Sequence, residues 1–206
     1  MIDIQSIKLL MAGRAGVYGL LADIFTAPAD MEDIYNLCKY LYDLTESVEV
    51  IDENEEILQG FKGLALWYEN AQKAEKSWVE TKLKEEFISV FKNPAGSIGI
   101  IFPNTENIDE VYSEYGYKAE FKSGGLNEML SFLSYMAVET AKQNNIEEIS
   151  KYVKAQLIFL DTFLMPYISG FCEALYEEVP NYGIFQYIAV ILHGFLMLDE
   201  PTLKYF

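Results

Sequence analysis

A helical apolar period, repeated along almost the whole chain, constrains the fold more than any other feature. Between Ile7 and Ile24 the apolar residues follow each other at steps of three and four, which places them on one face of an α-helix. Similar spacing recurs in most later stretches, and no strand-like alternation is long enough to compete with it. The pattern therefore predicts an all-α fold, built as a bundle of helices.

Local signals predict where several helices begin and end. Asp30 is predicted to cap a second helix, and Asn107 and Asn145 each stand three residues before a glutamate, which is the capping-box pattern. Gly116 is predicted to end the short helix that follows Asn107. Pro166 should kink or break the long helix after Asn145, because proline lacks a backbone N–H and clashes with the preceding turn.

The connector 92–106 interrupts this helical pattern. It is punctuated by glycine and proline, as loops are, yet its middle is apolar around Phe102. A long connector inside a compact domain is usually functional or disordered, and this one is too apolar for disorder. We therefore predict a single domain, 1–206, in which the connector joins two helical halves, 1–91 and 107–206.

Composition and charge exclude several classes of partner. A chain of 206 residues with 51% hydrophobic residues can bury one large core. Fifteen basic residues against 32 acidic ones give a net charge of -17, which repels nucleic acid and anionic membrane surfaces and favours a basic or neutral partner. The longest apolar run, 187–198, is shorter than the roughly 20 residues that cross a bilayer. We expect a cytoplasmic protein without membrane insertion, with Cys38 and Cys172 reduced.

Few residues suggest catalysis or metal binding. No phosphate-binding loop is present, and His193 is the only histidine, which excludes two-histidine zinc sites and paired Glu-x-x-His sites. For His193 a hydrogen-bonded core residue is favoured over the alternative, a catalytic base. Asp161 has two open interpretations, a buried acid or a surface carboxylate. Arg14, on an apolar helix face, is predicted to pair with a carboxylate across a helix contact. No metal and no cofactor are expected.

Four ordered segments carry a more specific pattern. The first is Arg14-x-x-x-Tyr18-x-x-Leu21-Ala22-x-Ile24-Phe25-x-x-Pro28, and the second is Glu86-Phe87-x-x-Val90-Phe91, followed by Pro94, Pro103 and Val111-Tyr112. The third has apolar residues at Leu130, Phe132, Leu133, Tyr135 and Met136. The fourth is Gln156-x-x-Phe159-Leu160-x-x-Phe163-Leu164-x-Pro166-Tyr167.

Together these segments resemble the TorD/DmsD/NarJ-type chaperones, which are all-helical cytoplasmic proteins that assist the maturation of molybdopterin-containing reductases. The sequence departs from the family at the polar positions. Gly124-Gly125 and Met129 stand where the family has Asp-His and Glu, and Phe163 and Tyr167 replace a histidine and a tryptophan. The resemblance implies a non-enzymatic chaperone that binds the apo catalytic subunit of such a reductase or its leader, including a twin-arginine signal. A homodimer and guanine nucleotide binding stay open.

The resemblance and the apolar connector together predict a peptide-binding groove. One wall would hold Phe102, Tyr112 and Tyr115, and the other Leu126, Met129 and Phe132. The remaining predicted site residues are Gly124, Gly125, Phe163 and Tyr167. Acidic residues around the groove would meet the basic part of a leader, and apolar anchors would supply affinity. Two alternatives are a helical adaptor that binds a folded protein and a hydrolase that uses carboxylates such as Asp161.

Overall fold

The described part of the chain is helical in this computed structural model. The structure describes residues 3–26, 36, 39, 54–87, 89–90, 102, 105–178 and 183–206. The helices are α1 (Ile4–Phe25), α2 (Glu55–Lys73), α3 (Lys76–Phe87), α4 (Ile108–Glu114), α5 (Leu126–Lys142), α6 (Ile146–Phe159), a π-helical segment (Leu160–Leu164), α7 (Met165–Glu178) and α8 (Ile184–Leu203). An isolated bridge at Gly125 is the sole β-type residue in these ranges. The prediction of an all-α fold is confirmed.

The predicted caps are partly confirmed. The side chain of Asn145 accepts a hydrogen bond from the backbone N–H of Glu148 at 2.8 Å, and Gly116, with φ of 72°, follows the end of α4 in the left-handed conformation that glycine tolerates. The capping box at Asn107 is wrong. Asn107 itself adopts a left-handed conformation, with φ of 70°, and its side chain makes no cap hydrogen bond. Its backbone therefore begins the helix without the predicted side-chain help.

The helix does not break at Pro166. Just before this proline the turn widens into the π-helical segment, in which the N–H of Met165 bonds to the carbonyl of Leu160. Because the helix continues, the run Ile146–Glu177 is long and apolar enough, by length and composition alone, to cross a membrane. No run of membrane-spanning length is predicted from the sequence. In the fold, 44% of its most apolar window is buried, and the core helix of a soluble protein passes the same test.

Two predictions lie mostly outside the described residues. Of the helix predicted to begin at Asp30, the structure describes positions 36 and 39, which are helical. Of the connector 92–106, it describes Phe102, Thr105 and Glu106.

The chain divides into two compact units. The first unit comprises Met1–Thr26, Ile100–Tyr167 and Asp199–Phe206, and the second comprises Ala27–Gly99 and Ile168–Leu198. Each unit takes segments from both sides of the connector, so the units do not coincide with the halves 1–91 and 107–206. The single-domain organisation stays a prediction.

In the first unit, α1 packs along α5, and α5 packs against α6. Small residues allow α1 and α5 to approach closely: the hydroxyl of Ser134 donates to the carbonyl of Ala15 at 2.8 Å, and a Cβ at Gly19 would lie 3.4 Å from the same hydroxyl. Both helices bury apolar side chains in this contact, including Met11, Leu21, Met129 and Leu133. The α1–α5 pair is therefore the framework on which the segment 105–125 is placed.

In the second unit, glycines bring α2 close to α8. A Cβ at Gly63 would lie 2.0 Å from the ring of Tyr187, and one at Gly60 would lie 2.5 Å from Ile191. Real Cβ atoms do not approach this closely, so the packing of these two helices requires glycine at both positions.

Candidate functional site

The segment 105–125 carries four of the ten predicted site residues and leads into α5, which carries three more. Two hydrogen bonds to backbone carbonyls hold the end of this segment. The N–H of Phe102 donates to the carbonyl of Gly124 at 3.0 Å, and the hydroxyl of Tyr112 donates to the carbonyl of Ser123 at 2.9 Å. A Cβ at Gly124 would lie 2.6 Å from the Thr105 hydroxyl oxygen. Glycine at 124 thus permits a close approach of the Thr105 side chain.

The structure brings the predicted residues together, but as a core. The ring of Phe132 lies 4.8 Å from that of Tyr112 and 6.4 Å from that of Tyr115, and Phe102 pairs with Tyr167 at 5.8 Å. The two predicted walls are therefore in contact with each other rather than open to a ligand.

Burial separates the ten predicted residues into two groups. Eight are buried: Phe102, Tyr112, Gly124, Gly125, Leu126, Met129, Phe132 and Phe163. Leu126, Met129 and Phe132 have no exposed surface at all, so a ligand cannot touch them in this conformation. Tyr115 and Tyr167 keep part of their surface exposed.

Tyr115 belongs to a partly exposed aromatic patch, which we call the tyrosine surface and which consists of Tyr115, Tyr117, Tyr135 and Tyr152. The rings of Tyr117 and Tyr135 are 5.4 Å apart, and those of Tyr115 and Tyr152 are 6.0 Å apart. The hydroxyl of Tyr135 donates to the carbonyl of Tyr115 at 3.0 Å, which links the two pairs. Phe132 lies 5.4 Å from the ring of Tyr117 and supports the patch from within the core.

Carboxylates adjoin the tyrosine surface. Partial burial raises the pKa of both Tyr115 and Tyr135. The charge of Glu114 raises the pKa of Tyr115 further, and the charge of Glu139 raises that of Tyr135. These tyrosines therefore stay neutral and keep their hydroxyl donors at physiological pH. Aromatic rings beside carboxylates are suited to a positively charged group, because ring faces and carboxylates both attract cations. Glu139 already attracts one, since it pairs with Lys142 at 2.5 Å.

Glu128 fixes the loop that carries Tyr117. Its buried carboxylate accepts hydrogen bonds from the Tyr117 hydroxyl and from the backbone N–H of Phe121, the latter at 2.8 Å. Burial and this carboxylate raise the pKa of Tyr117 well above its usual value, so the hydroxyl stays a donor. The loop is thus held by a charge-assisted bond from inside α5.

A buried polar network in the first unit joins residues of two separate motifs. The guanidinium of Arg14 donates to Asp199 at 2.5 and 2.8 Å and to the side-chain oxygen of Gln156 at 2.6 Å, and the hydroxyl of Tyr18 donates to Asp199 at 2.5 Å. Gln156 in turn donates to the hydroxyl of Thr140 at 2.8 Å. The prediction that Arg14 pairs with a carboxylate is confirmed, and the network is structural because both side chains of the ion pair are 3% exposed.

Glu86 of the second motif is buried in the second unit. Its carboxylate accepts the N–H of Phe185 at 3.3 Å, at the start of α8. A Cβ at Gly183 would lie 2.6 Å from this carboxyl group, so glycine makes room for it. Burial raises the pKa of Glu86 to about 7, although the amides of Phe185 and Ile184 oppose the shift.

Asp161 and His193 are the two remaining candidates for a chemical role. Asp161 is exposed, which decides between its two interpretations in favour of the surface carboxylate. His193 is partly exposed rather than buried, and it bonds to Glu56 and Ser169. In the ranges that the structure describes, no three His, Cys, Asp or Glu residues are grouped so as to hold a metal ion.

Sequence reasoning missed three members of the tyrosine surface. In the sequence Tyr135 has the spacing of one more apolar helix residue, and none of the four motifs includes Tyr117 or Tyr152. The closely spaced tyrosines at 112, 115 and 117 were a local signal. Their meeting with tyrosines of α5 and α6 is a long-range contact that no local spacing reveals.

Comparison with known proteins leaves the family open. No family model matches the chain, and neither a curated protein nor a solved structure matches it.

Proposed function

We propose that this protein is a cytoplasmic chaperone of the TorD/DmsD/NarJ type, which holds the leader or another exposed segment of an apo molybdopterin oxidoreductase subunit until its cofactor is inserted. The observation that carries the proposal is the tyrosine surface with its neighbouring carboxylates. It offers aromatic area and negative charge to the same segment, which is the combination that a basic, partly apolar leader requires.

The meeting of two motifs supports the resemblance on which this proposal depends. Arg14 of the first motif and Gln156 of the fourth are 142 positions apart, yet their side chains share a hydrogen bond. If the four motifs belong to one structural framework, residues of different motifs should contact each other in the fold. Client binding on this framework requires no bond to be made or broken, and no metal or cofactor.

Because most of the predicted site residues are buried, partly exposed residues must make the contacts with the client. The buried residues Met129 and Phe132 support the site, while the half-exposed rings of Tyr115, Tyr135 and Tyr152 contact the client. Aromatic side chains at the centre of a binding surface commonly contribute more than 1 kcal/mol each to affinity. We therefore expect truncation of Tyr115 or Tyr152 to alanine to weaken leader binding about tenfold.

The experiment begins with affinity capture from the native host and identification of the captured reductase. Its leader peptide is then titrated calorimetrically against the parent protein, Tyr115→Ala and Tyr152→Ala. Tyr205→Ala is a matched control, because this tyrosine is also in the first unit and is 83% exposed, but lies outside the tyrosine surface. The proposal predicts weaker binding in the two variants and unchanged binding in the control.

Charge is tested separately by Glu114→Gln and Glu139→Gln. Each should reduce the affinity for a basic leader modestly, and added salt should reduce the difference from the parent. If the parent protein does not bind the leader, leader recognition is wrong; if it binds and all the tyrosine variants bind equally well, the contact surface lies elsewhere.

A further inference from the structure

Three side chains of the second unit form a hydrogen-bonded chain that client binding does not use. Nε2 of His193, on α8, lies 3.2 Å from the hydroxyl oxygen of Ser169, on α7. Nδ1 of the same ring lies 2.7 Å from a carboxylate oxygen of Glu56, in the first turn of α2. A serine, a histidine and a carboxylate are thus aligned in the order that activates a nucleophile.

The hydrogen-bonding capacity of each group fixes the direction of the protons. An ionised carboxylate only accepts hydrogen bonds, so Nδ1 carries the proton that it donates to Glu56. In the neutral ring this leaves Nε2 as the acceptor, and the hydroxyl of Ser169 is the donor to it. A neutral His193 with these two partners has the tautomer that can remove the serine proton.

A reagent can reach this serine from solvent. Ser169 is exposed, and the side chains of His193 and Glu56 are 26% and 42% exposed. The next residue is Gly170, and a Cβ built there would meet nothing within 4 Å. The helix surface is therefore open at Gly170, next to the serine in the chain.

The helix also limits the chemistry. Ser169 and Gly170 lie inside α7, where their backbone N–H groups bond to carbonyls four residues earlier. They are not available to stabilise a developing oxyanion, which in hydrolases is usually the largest contribution to catalysis. The site is consequently suited to esters whose leaving group is already good.

We propose that Ser169 is a reactive nucleophile that is acylated by small activated carboxylic esters, with His193 as its base and Glu56 as the residue that positions the base. As the serine oxygen bonds to the ester carbon, its proton passes to Nε2. The bond to the leaving alkoxide breaks, and His193 returns the proton to that alkoxide. Water then attacks the acyl-serine by the same proton route, which releases the carboxylic acid and restores the serine.

The probe is p-nitrophenyl acetate, applied to the full-length protein, with peptide mapping by mass spectrometry to locate the acetyl group. We expect acetylation at Ser169, its loss in Ser169→Ala, and a rate at least about 100-fold lower in His193→Ala, since general base catalysis typically contributes 10² to 10⁴. Added imidazole should restore part of the rate in His193→Ala, which a purely structural role would not allow. Ser113, an exposed helical serine bonded only to a backbone carbonyl, is the internal control.

The positioning role of Glu56 has its own readout. His193 is the only histidine in the chain, so its imidazole ¹⁵N signals need no assignment. We expect the Nδ1–H tautomer in the parent protein and a shift toward Nε2–H in Glu56→Gln, together with slower acetylation of Ser169. Acetylation of Ser169 no faster than that of Ser113, or an Nε2–H tautomer in the parent, would overturn the proposal.

Discussion

Glu86 provides a direct test of the second unit, because its carboxyl group is 2% exposed and lies at the start of α8. Burial disfavours the charged form and raises the pKa from 4.5 to about 7, while the amides of Phe185 and Ile184 and the charge of Lys82 act in the opposite direction. In the native state the group therefore holds a proton that the unfolded chain has already released near pH 4.5.

The magnitude follows from this difference in pKa. Each pKa unit corresponds to about 1.4 kcal/mol, so a shift from 4.5 to about 7 corresponds to about 3 kcal/mol. Because the native pKa is the higher one, this contribution to stability is fully present below pH 4.5 and is lost as the pH rises to 7. Between pH 5 and pH 8 the free energy of unfolding should fall by about 2 to 3 kcal/mol through Glu86 alone.

The variant Glu86→Gln mimics the protonated carboxyl group and keeps an oxygen that can accept the N–H of Phe185. Urea unfolding at pH 5 and pH 8, followed by circular dichroism, should show that the variant loses about 2 to 3 kcal/mol less than the parent over this range. Glu80→Gln is the matched control: it removes one charge from the same helix at an exposed side chain that pairs with Lys76 at 3.7 Å, and it should change the pH profile little. Parallel pH profiles for the parent and Glu86→Gln would refute the reasoning.

Three further predictions concern packing and the buried network. Asp199→Ala should destabilise the protein by about 3 to 5 kcal/mol in urea unfolding, because it leaves the buried charge of Arg14 without its carboxylate; equal stability would contradict an intact ion pair. Gly63→Ala should cost about 1 to 3 kcal/mol, since its Cβ would lie 2.0 Å from an aromatic ring, whereas Gly16→Ala meets nothing within 4 Å and should be neutral or stabilising. Met129→Asp should lower the melting temperature steeply, as a carboxylate in a site with 0% exposure is not solvated. A melting temperature equal to that of the parent would place Met129 at the surface.

Local sequence signals predicted the helices well because each helix depends on a few neighbouring residues. The cap at Asn145 and the left-handed Gly116 are both local features, and both are confirmed. Pro166 was predicted to kink or break the helix, and the break does not occur. The lost hydrogen bond and the clash are accommodated by one wide turn before the proline, so the helical run continues.

The site was harder to predict because apolar periodicity does not distinguish a groove from a core. Leu126, Met129 and Phe132 have the spacing of a helix face, and either a ligand or other helices could cover that face. In the structure it is covered by the protein itself. The tyrosine surface depends on contacts between α4, the following loop, α5 and α6, whose order along the chain gives no indication of their distance in space.

Under the proposed function, the division between buried and exposed residues also limits where client specificity can lie. Arg14, Gln156 and Glu86, which carry the resemblance, are all buried and hydrogen-bonded, and replacing one of them risks a large part of the few kcal/mol that stabilise a domain. Surface substitutions away from such features usually change stability by less than about 0.5 kcal/mol. Tyr115 and Tyr152 can therefore change without loss of the fold. Under the proposed function, the framework motifs can thus persist while the client changes. We therefore propose that exposed side chains such as those of the tyrosine surface, rather than the buried motifs, distinguish one leader from another.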